Sequence, residues 1–484
     1  MLQEASGGFG RLRGRKVRKP VRWGDILRSA MSAAPPAPVP ATPVSESSVP
    51  ESPVSESRAA AVDASPPERV DLSADHWVLV LRDPSQLDAI ADDYDALAAA
   101  ASTPNVFYER WQLGPAWRTF GGLTHLLLIM RRGNSPAEPP VPLGLFPMQV
   151  GRSDSRLLGS VAALWTHPYG FLRTPLLRWG AALEAVDVWS RALAVIAPDV
   201  GLALWERLHA EGPLAWALTD WCRAGGVVPV VTQRYSRAAC RPVERGDGAG
   251  ERYQERAIRK KQRRELTRQR KRLADRGVLE VVRPDAATFA EAFLDLEAAG
   301  WKGTQQSAIA ARQADADFYR TIIHEAAGRG QLDGSLLTLD GRAIAAKLNF
   351  DSVRPVGGAV DGVAVDGAAI DDRRAGGGRQ AAFACKIAHD ESLRKFSPGV
   401  LLELATIDRM HQPDAPAVID SCAKPDHPMI DRLWSERVAM QHVAFALPHA
   451  TRADRLRLEA LRLKTRRTLG RSSREGGAVL RANY

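Results

Sequence analysis

The chain has 484 residues, 45% of them hydrophobic, and a formal net charge of +10. That length allows two or three domains with a sizeable core, and the charge points to anionic partners. No apolar run reaches the roughly 18 residues of a membrane span. Cys222, Cys240, Cys385 and Cys422 are scattered without ligand spacing, which argues against a metal site or disulfide framework and for a reducing cytoplasm.

Residues 1–72 combine a basic patch with an Ala-, Pro- and Ser-rich stretch, and the N-terminus lacks a secretory-signal pattern. Such composition buries too little apolar surface to fold, so a disordered tail is expected. Residues 77–81 are strand-like, and 87–101 carry helical spacing. Two strands at 125–131 and 141–150, separated by a proline-rich turn, predict a hairpin. Trp165-Thr166-His167-Pro168-Tyr169 reads as a loop. Helices are expected at 181–197 and 214–224, with strands at 202–208 and 226–231. Residues 73–243 thus form a first domain in which strands and helices alternate.

Residues 244–276 follow as a basic linker. Its segment 251–276 holds 12 basic and 4 acidic residues. Only Ile258, Leu266 and Leu273 form an apolar stripe, so a mostly solvated helix is expected. A second domain spans 277–448. It opens with a strand at 277–282 and a helix at 286–299. A helix at 314–329 and a hairpin turning at Asp340-Gly341 come next. A strand at 382–388, a helix at 399–412, a strand at 417–422 and a helix at 428–439 complete it. Residues 353–380 are Gly-, Ala- and Asp-rich without apolar period, and read as a disordered insertion. Residues 449–484 form a basic tail. The fold class is α/β (α+β), with mixed sheets flanked by helices.

The most informative segment joins the strand at 382–388 to the helix at 399–412. A strand ends in His389-Asp390-Glu391, and Ser397-Pro398-Gly399 then opens an apolar helix. Proline suits the first helical turn, where its missing N–H is not needed. Glycine lets a ligand approach the backbone. Free N–H groups at such a helix start bind anions. Acid/base residues beside an anion site imply an enzyme that uses a phosphorylated co-substrate. His389 can serve as base near neutrality, with Glu391 and Asp390 as further candidates.

The same residues carry a family resemblance. The run 386–391 followed by 396–402 resembles the core of acetyltransferases related to the cellulose-biosynthesis protein CelD. These belong to the GNAT superfamily and, like FemAB-type transferases, have two GNAT-like halves. Residues 259–277, 296–303, 420–423 and 428–437 agree with that pattern, and the resemblance covers about 75–447.

It implies two tandem GNAT-like domains and acetyl-CoA as co-substrate, without a metal. Ser397, Gly399, Val400 and Leu401 would bind its pyrophosphate. Residues 373–378 also fit a short pyrophosphate-loop pattern, but lie within the insertion. Trp301, Lys302, His167 and Asp420 would lie on the acceptor side. Gln306 stands where family members tend to have glycine. The expected activity is acyl transfer to a sugar, nucleotide-sugar or polysaccharide precursor in a cytoplasmic step of cellulose or exopolysaccharide synthesis. The alternatives are a FemAB-like transferase using aminoacyl-tRNA, bound by the basic helix, and a non-catalytic accessory protein.

Overall fold

The structure is a computed structural model. It describes residues 65–475 apart from 154, 156, 301–307 and 353–380, with side chains up to residue 467. Trp301, Lys302, Gln306, the expected insertion and its 373–378 glycine pattern lie outside the described residues, as do 1–64 and 476–484.

The first half runs β1 (Glu68–Asp71), β2 (His76–Leu81), α1 (Ala91–Ala99), α2 (Arg110–Phe120), β3 (His125–Arg131), β4 (Val141–Arg152), β5 (Ser160–Leu164), β6 (Leu176–Leu177), α3 (Ala182–Ile196), β7 (Leu202–His209), α4 (Pro213–Ala224) and β8 (Val230–Cys240). The basic segment forms α5 (Ala249–Ala257) and α6 (Lys260–Ala274). The second half runs β9 (Leu279–Val282), α7 (Ala286–Ala299), α8 (Gln313–Gly328), β10 (Leu332–Leu339), β11 (Arg342–Asp351), β12 (Ala381–His389), α9 (Pro398–Met410), β13 (Val418–Asp420), β14 (Glu436–Ala446) and α10 (Arg452–Glu475).

The strands join in one mixed sheet, ordered β1-β2-β3-β4-β5-β7-β14-β8-β13-β12-β11-β10-β9, with β6 paired to β4. The pairs β5–β7 and β12–β13 are parallel and the others antiparallel. Strand alternation sends side chains to opposite faces. On β2, Trp77 and Leu81 join a core that includes Trp111 of α2, Phe293 of α7 and Tyr319 of α8. Val78 and Val80 join a second core with Trp189 of α3 and Leu218 of α4. A third core packs Tyr253 of α5 and Ile407 of α9 against Ala382 and Ala384 of β12.

Local signals explain much of this. Asp285 caps α7 by accepting from the Thr288 amide at 3.0 Å, and Phe289, Phe293 and Leu296 recur on its buried side. Asp340 and Gly341 both have positive φ, as a tight hairpin turn requires. In the basic segment Ile258, Leu266 and Leu273 are buried as a thin seam. That segment is two helices rather than one, because Ile258 adopts extended backbone.

Three expectations are corrected. Glu68–Asp71, assigned to the tail, is strand β1, where Arg69 lies over the Trp77 ring at 4.2 Å. The strand expected at 226–231 begins at Val230 and continues to Cys240 through the largely polar stretch 232–237. The helix expected at 428–439 is a short 3₁₀ turn, Ile430–Arg432, followed by strand β14. Strand β14 lies between β7 and β8 and satisfies the backbone groups of both edges at once.

Candidate active site

Strands β12 and β13 pair only from Ala381↔Val418 to Phe383↔Asp420. Beyond Asp420 the second strand ends, while β12 runs on to His389. The chain turns away at Cys422, whose φ is +54°, and returns with His427 and Met429 on the far wall of a cleft of about 550 Å³. Glu297 of α7, Ile387, His389, Glu391 and Gly399 also line this cleft.

A bulge in β12 decides which side chains face it. Leu348 pairs with Lys386 and Asn349 with Ala384, leaving Cys385 as an extra residue. The insertion inverts the alternation beyond it. Ile387 and His389 consequently turn toward α9. A Cβ built on Gly399 would sit 3.5 Å from both Ile387 Cδ1 and His389 Nδ1. Lys386 points the other way, with Nζ 5.2 Å from the Tyr169 ring centre.

Helix α9 begins at Ser397, a non-glycine residue in left-handed conformation (φ +53°, ψ +51°). No side chain caps this helix start, and its first turn holds no acidic residue. Gly399 and Val400 therefore present the positive end of the helix to the cleft. Leu401 does not share that placement. Its side chain is fully buried, and its amide already donates to the Ser397 carbonyl at 3.0 Å. Two arginines lie near this helix start. Arg394 lines the cleft, and Arg276 of the basic segment lies over the Phe396 ring at 4.8 Å.

His389 Nε2 lies 3.5 Å from Glu391 Oε1, and both side chains are 34% exposed. Asp390, between them in sequence, is engaged elsewhere. Its carboxylate accepts from the Ser392 amide and hydroxyl at 2.9 and 2.6 Å and pairs with Arg342 at 2.8 Å. Partial burial opposes its ionisation, but these partners outweigh burial and hold the carboxyl below its usual range. This arrangement fits a group that fixes the turn rather than one that exchanges protons.

His167 and Asp420 lie outside the cleft lining. His167 stacks between Phe120 and Trp165, with centroids 5.1 and 5.4 Å away, and neither ring nitrogen has a hydrogen-bond partner. Burial, reinforced by Arg207, pushes it down to about 3, so the ring is neutral. Asp420 is buried. Arg237 Nη2 donates to its Oδ2 at 2.7 Å, and the Cys422 amide donates to its Oδ1 at 2.9 Å. Burial opposes its charge, but Arg237 and His209 keep it well below the usual carboxylate range. Burial also raises the Cys422 thiol, with a further contribution from Cys385, so no thiolate nucleophile is prepared there.

Sequence reasoning missed Glu297, Arg394 and His427 in the cleft wall. Glu297 is buried on an apolar helix, where its Oε2 accepts from the Ile309 amide at 2.7 Å, and a carboxylate within so apolar a stretch could have drawn notice. It also missed Lys347 and Glu403, which form a buried ion pair at 2.8 Å between β11 and α9. Among the described residues no cluster of His, Cys, Asp or Glu is arranged to hold a metal, and no helix is long and apolar enough to cross a membrane.

Residues 260–357 match the model of an acetyltransferase (GNAT) domain. Among solved structures, FemX is 10% identical to the chain, with a TM-score of 0.46 over 74% of this chain and 96% of that one. The C-terminal domain of a putative lysylphosphatidylglycerol synthetase from Agrobacterium fabrum is 12% identical, with a TM-score of 0.38 over 78% and 96%. A GCN5-related N-acetyltransferase from Kribbella flavida is 13% identical, with a TM-score of 0.24 over 63% and 86%. No curated protein matches the chain.

Proposed function

We propose that the protein is a GNAT-type acyltransferase that moves an acyl group, first of all acetyl, from acyl-CoA to an amine or hydroxyl. One observation carries this reading. The uncapped start of α9 opens into the same cleft as His389 and Glu391, where β12 and β13 part. The acceptor we favour is a sugar, nucleotide-sugar or polysaccharide precursor in CelD-related cellulose or exopolysaccharide synthesis, which rests on the sequence resemblance. A cytoplasmic place of action accords with acyl-CoA as donor.

In this scheme the amides of Gly399 and Val400 hold the donor's pyrophosphate. The acceptor nitrogen or oxygen attacks the thioester carbonyl. A C–N or C–O bond forms, the C–S bond breaks, and the acceptor proton passes to His389. Glu391 stabilises the imidazolium so formed. Backbone N–H groups of the cleft polarise the carbonyl. The thiolate leaves and takes a proton from solvent.

Calorimetric titration with acetyl-CoA tests the reading, alongside a Gly399→Trp variant whose indole would fill the helix start. Saturable binding by the wild-type protein and its loss in a folded variant are expected. Absence of binding by folded wild-type protein overturns the proposal.

The basic segment favours one second reading. Helix α6 is largely exposed and highly cationic, and Arg272 and Arg276 reach Phe396 just before the α9 start. A donor carried on tRNA would use that surface. Failure of filters to retain tRNA with the protein at low salt would remove it.

A further inference from the structure

Strands β7 and β14 lose register between Trp205↔Val443 and Leu208↔Gln441, so Glu206 and Arg207 together oppose His442. This is a second β-bulge, and Arg207 stands in it at φ +51°. Glycine is the usual residue at a left-handed bulge position, because a Cβ is strained there. An arginine held in such a place calls for a use of its side chain.

The surroundings suggest that use. Arg173 Nη1 pairs with Glu206 Oε2 at 2.7 Å, and Arg237 Nη2 with Asp420 Oδ2 at 2.7 Å. His209 and His442 stand 3.8 and 3.7 Å from those same two carboxylates. Both acids are therefore committed. Among the described residues Arg207 has no carboxylate within ion-pairing distance. It donates to the Gly170 carbonyl at 2.9 Å. Burial, then the neighbouring Arg173, hold its guanidinium below the ordinary range, as for a cation short of counter-charge. Tyr235 and Glu206 favour its charge more weakly, and Arg237 adds to the lowering. Asp420 ties this cluster to the point where β12 and β13 separate.

We infer that Arg207, flanked by Arg173 and Tyr235, binds an anionic group of the acyl acceptor, a carboxylate or a phosphate. A guanidinium offers a planar, bidentate fork to either group. The ladder is interrupted at Arg207, whose Nη1 reaches the Gly170 carbonyl; in this scheme the first half of the chain selects the acceptor while the second half holds the donor. This inference rests on the acyltransferase reading for the identity of its ligand as acceptor.

The test uses the full chain saturated with CoA, so that the α9 start is occupied, and titrates it separately with inorganic phosphate and with acetate while following thermal unfolding. Wild-type protein should gain melting temperature saturably with one of the two anions. Arg207→Gly should require at least about tenfold more of that anion. Glycine relieves the left-handed strain, so the variant should fold, melt no lower than wild type without anion, and bind CoA as before. Arg207→Lys, which keeps charge without the fork, should fall between them. A response to phosphate assigns a phosphorylated acceptor, and a response to acetate a carboxylated one. Equal anion responses in wild type and Arg207→Gly overturn the inference, as does a glycine variant that melts lower and loses CoA binding, since the arginine would then be structural. Failure of the donor reading shows separately, as absent CoA binding by the wild type.

Discussion

Each half of the chain contains a strand, a helix and a second parallel strand: β5–α3–β7 in the first half, β12–α9–β13 in the second. The two units differ at the helix start. Helix α3 carries Glu184 in its first turn, and that carboxylate pairs with His76 at 2.8 Å and Arg131 at 3.0 Å. Its positive end is already answered from within the chain. Helix α9 has Val400 at the corresponding third position and no acid in its first turn. The strands differ too. The pairing of β4 with β5 is unbroken from Met148↔Leu164 to Arg152↔Ser160, whereas β12 is bulged. The same supersecondary unit thus differs between the halves in two respects on which the proposed function rests: in the second the helix end is left unanswered and the strand beside it is re-aimed.

The largest expected effect breaks the second unit's chemistry. A His389→Ala/Glu391→Ala double variant should lose transferase activity by about 10²–10⁴-fold while keeping the wild-type circular dichroism and acetyl-CoA affinity. Full residual turnover would remove both residues from the mechanism. A smaller effect comes from making α9 resemble α3. Val400→Glu places an acid at the position Glu184 holds in α3, and should weaken acetyl-CoA binding about tenfold or more by repelling phosphate. Unchanged affinity would show that the helix start does not hold the donor.

The third prediction concerns the helix bodies. The buried side of α3 is apolar apart from Ser190, but α9 buries Glu403 and Asp408. Asp408 accepts from Gln254 Nε2 at 2.8 Å, and burial pushes its carboxyl up to about 7. The native state thus holds a proton that the unfolded chain releases near pH 4. Stability from this group is greatest below that pH, is lost as pH rises toward 7, and stays lost above. Asp408→Asn keeps the acceptor oxygen and removes the titration. Denaturant unfolding at pH 8 should find it more stable than wild type by about 1–4 kcal/mol, with the difference vanishing near pH 4. A difference independent of pH would place the effect in packing instead.

The proline-glycine start of α9 and the nearness of His389 and Glu391 to it were legible in the sequence, and so were helices α7, α8 and α9 and the Asp340-Gly341 turn. Their signals lie within a few consecutive residues: a proline and glycine at a helix start, a 3.6-residue period, a turn dipeptide. The burial of Leu401 was also readable in principle, since it continues the apolar run of its helix. Strand β14 was not. Its residues satisfy either period over a short stretch, and the choice was made by β7 and β8, distant in sequence, whose edges needed a partner.

The bulges at Cys385 and Arg207 were hidden for the same reason. Register is a property of two strands, so no single segment records that a residue is extra. The chain alone determined which chemical groups were present and where its local turns and helices began. Tertiary structure decided which way those groups face. It turned His389 toward the helix start and confined Asp390 to a cap. It enclosed Asp420 with Arg237 and left Arg207 without a carboxylate partner, because each outcome depends on pairing between segments far apart along the chain.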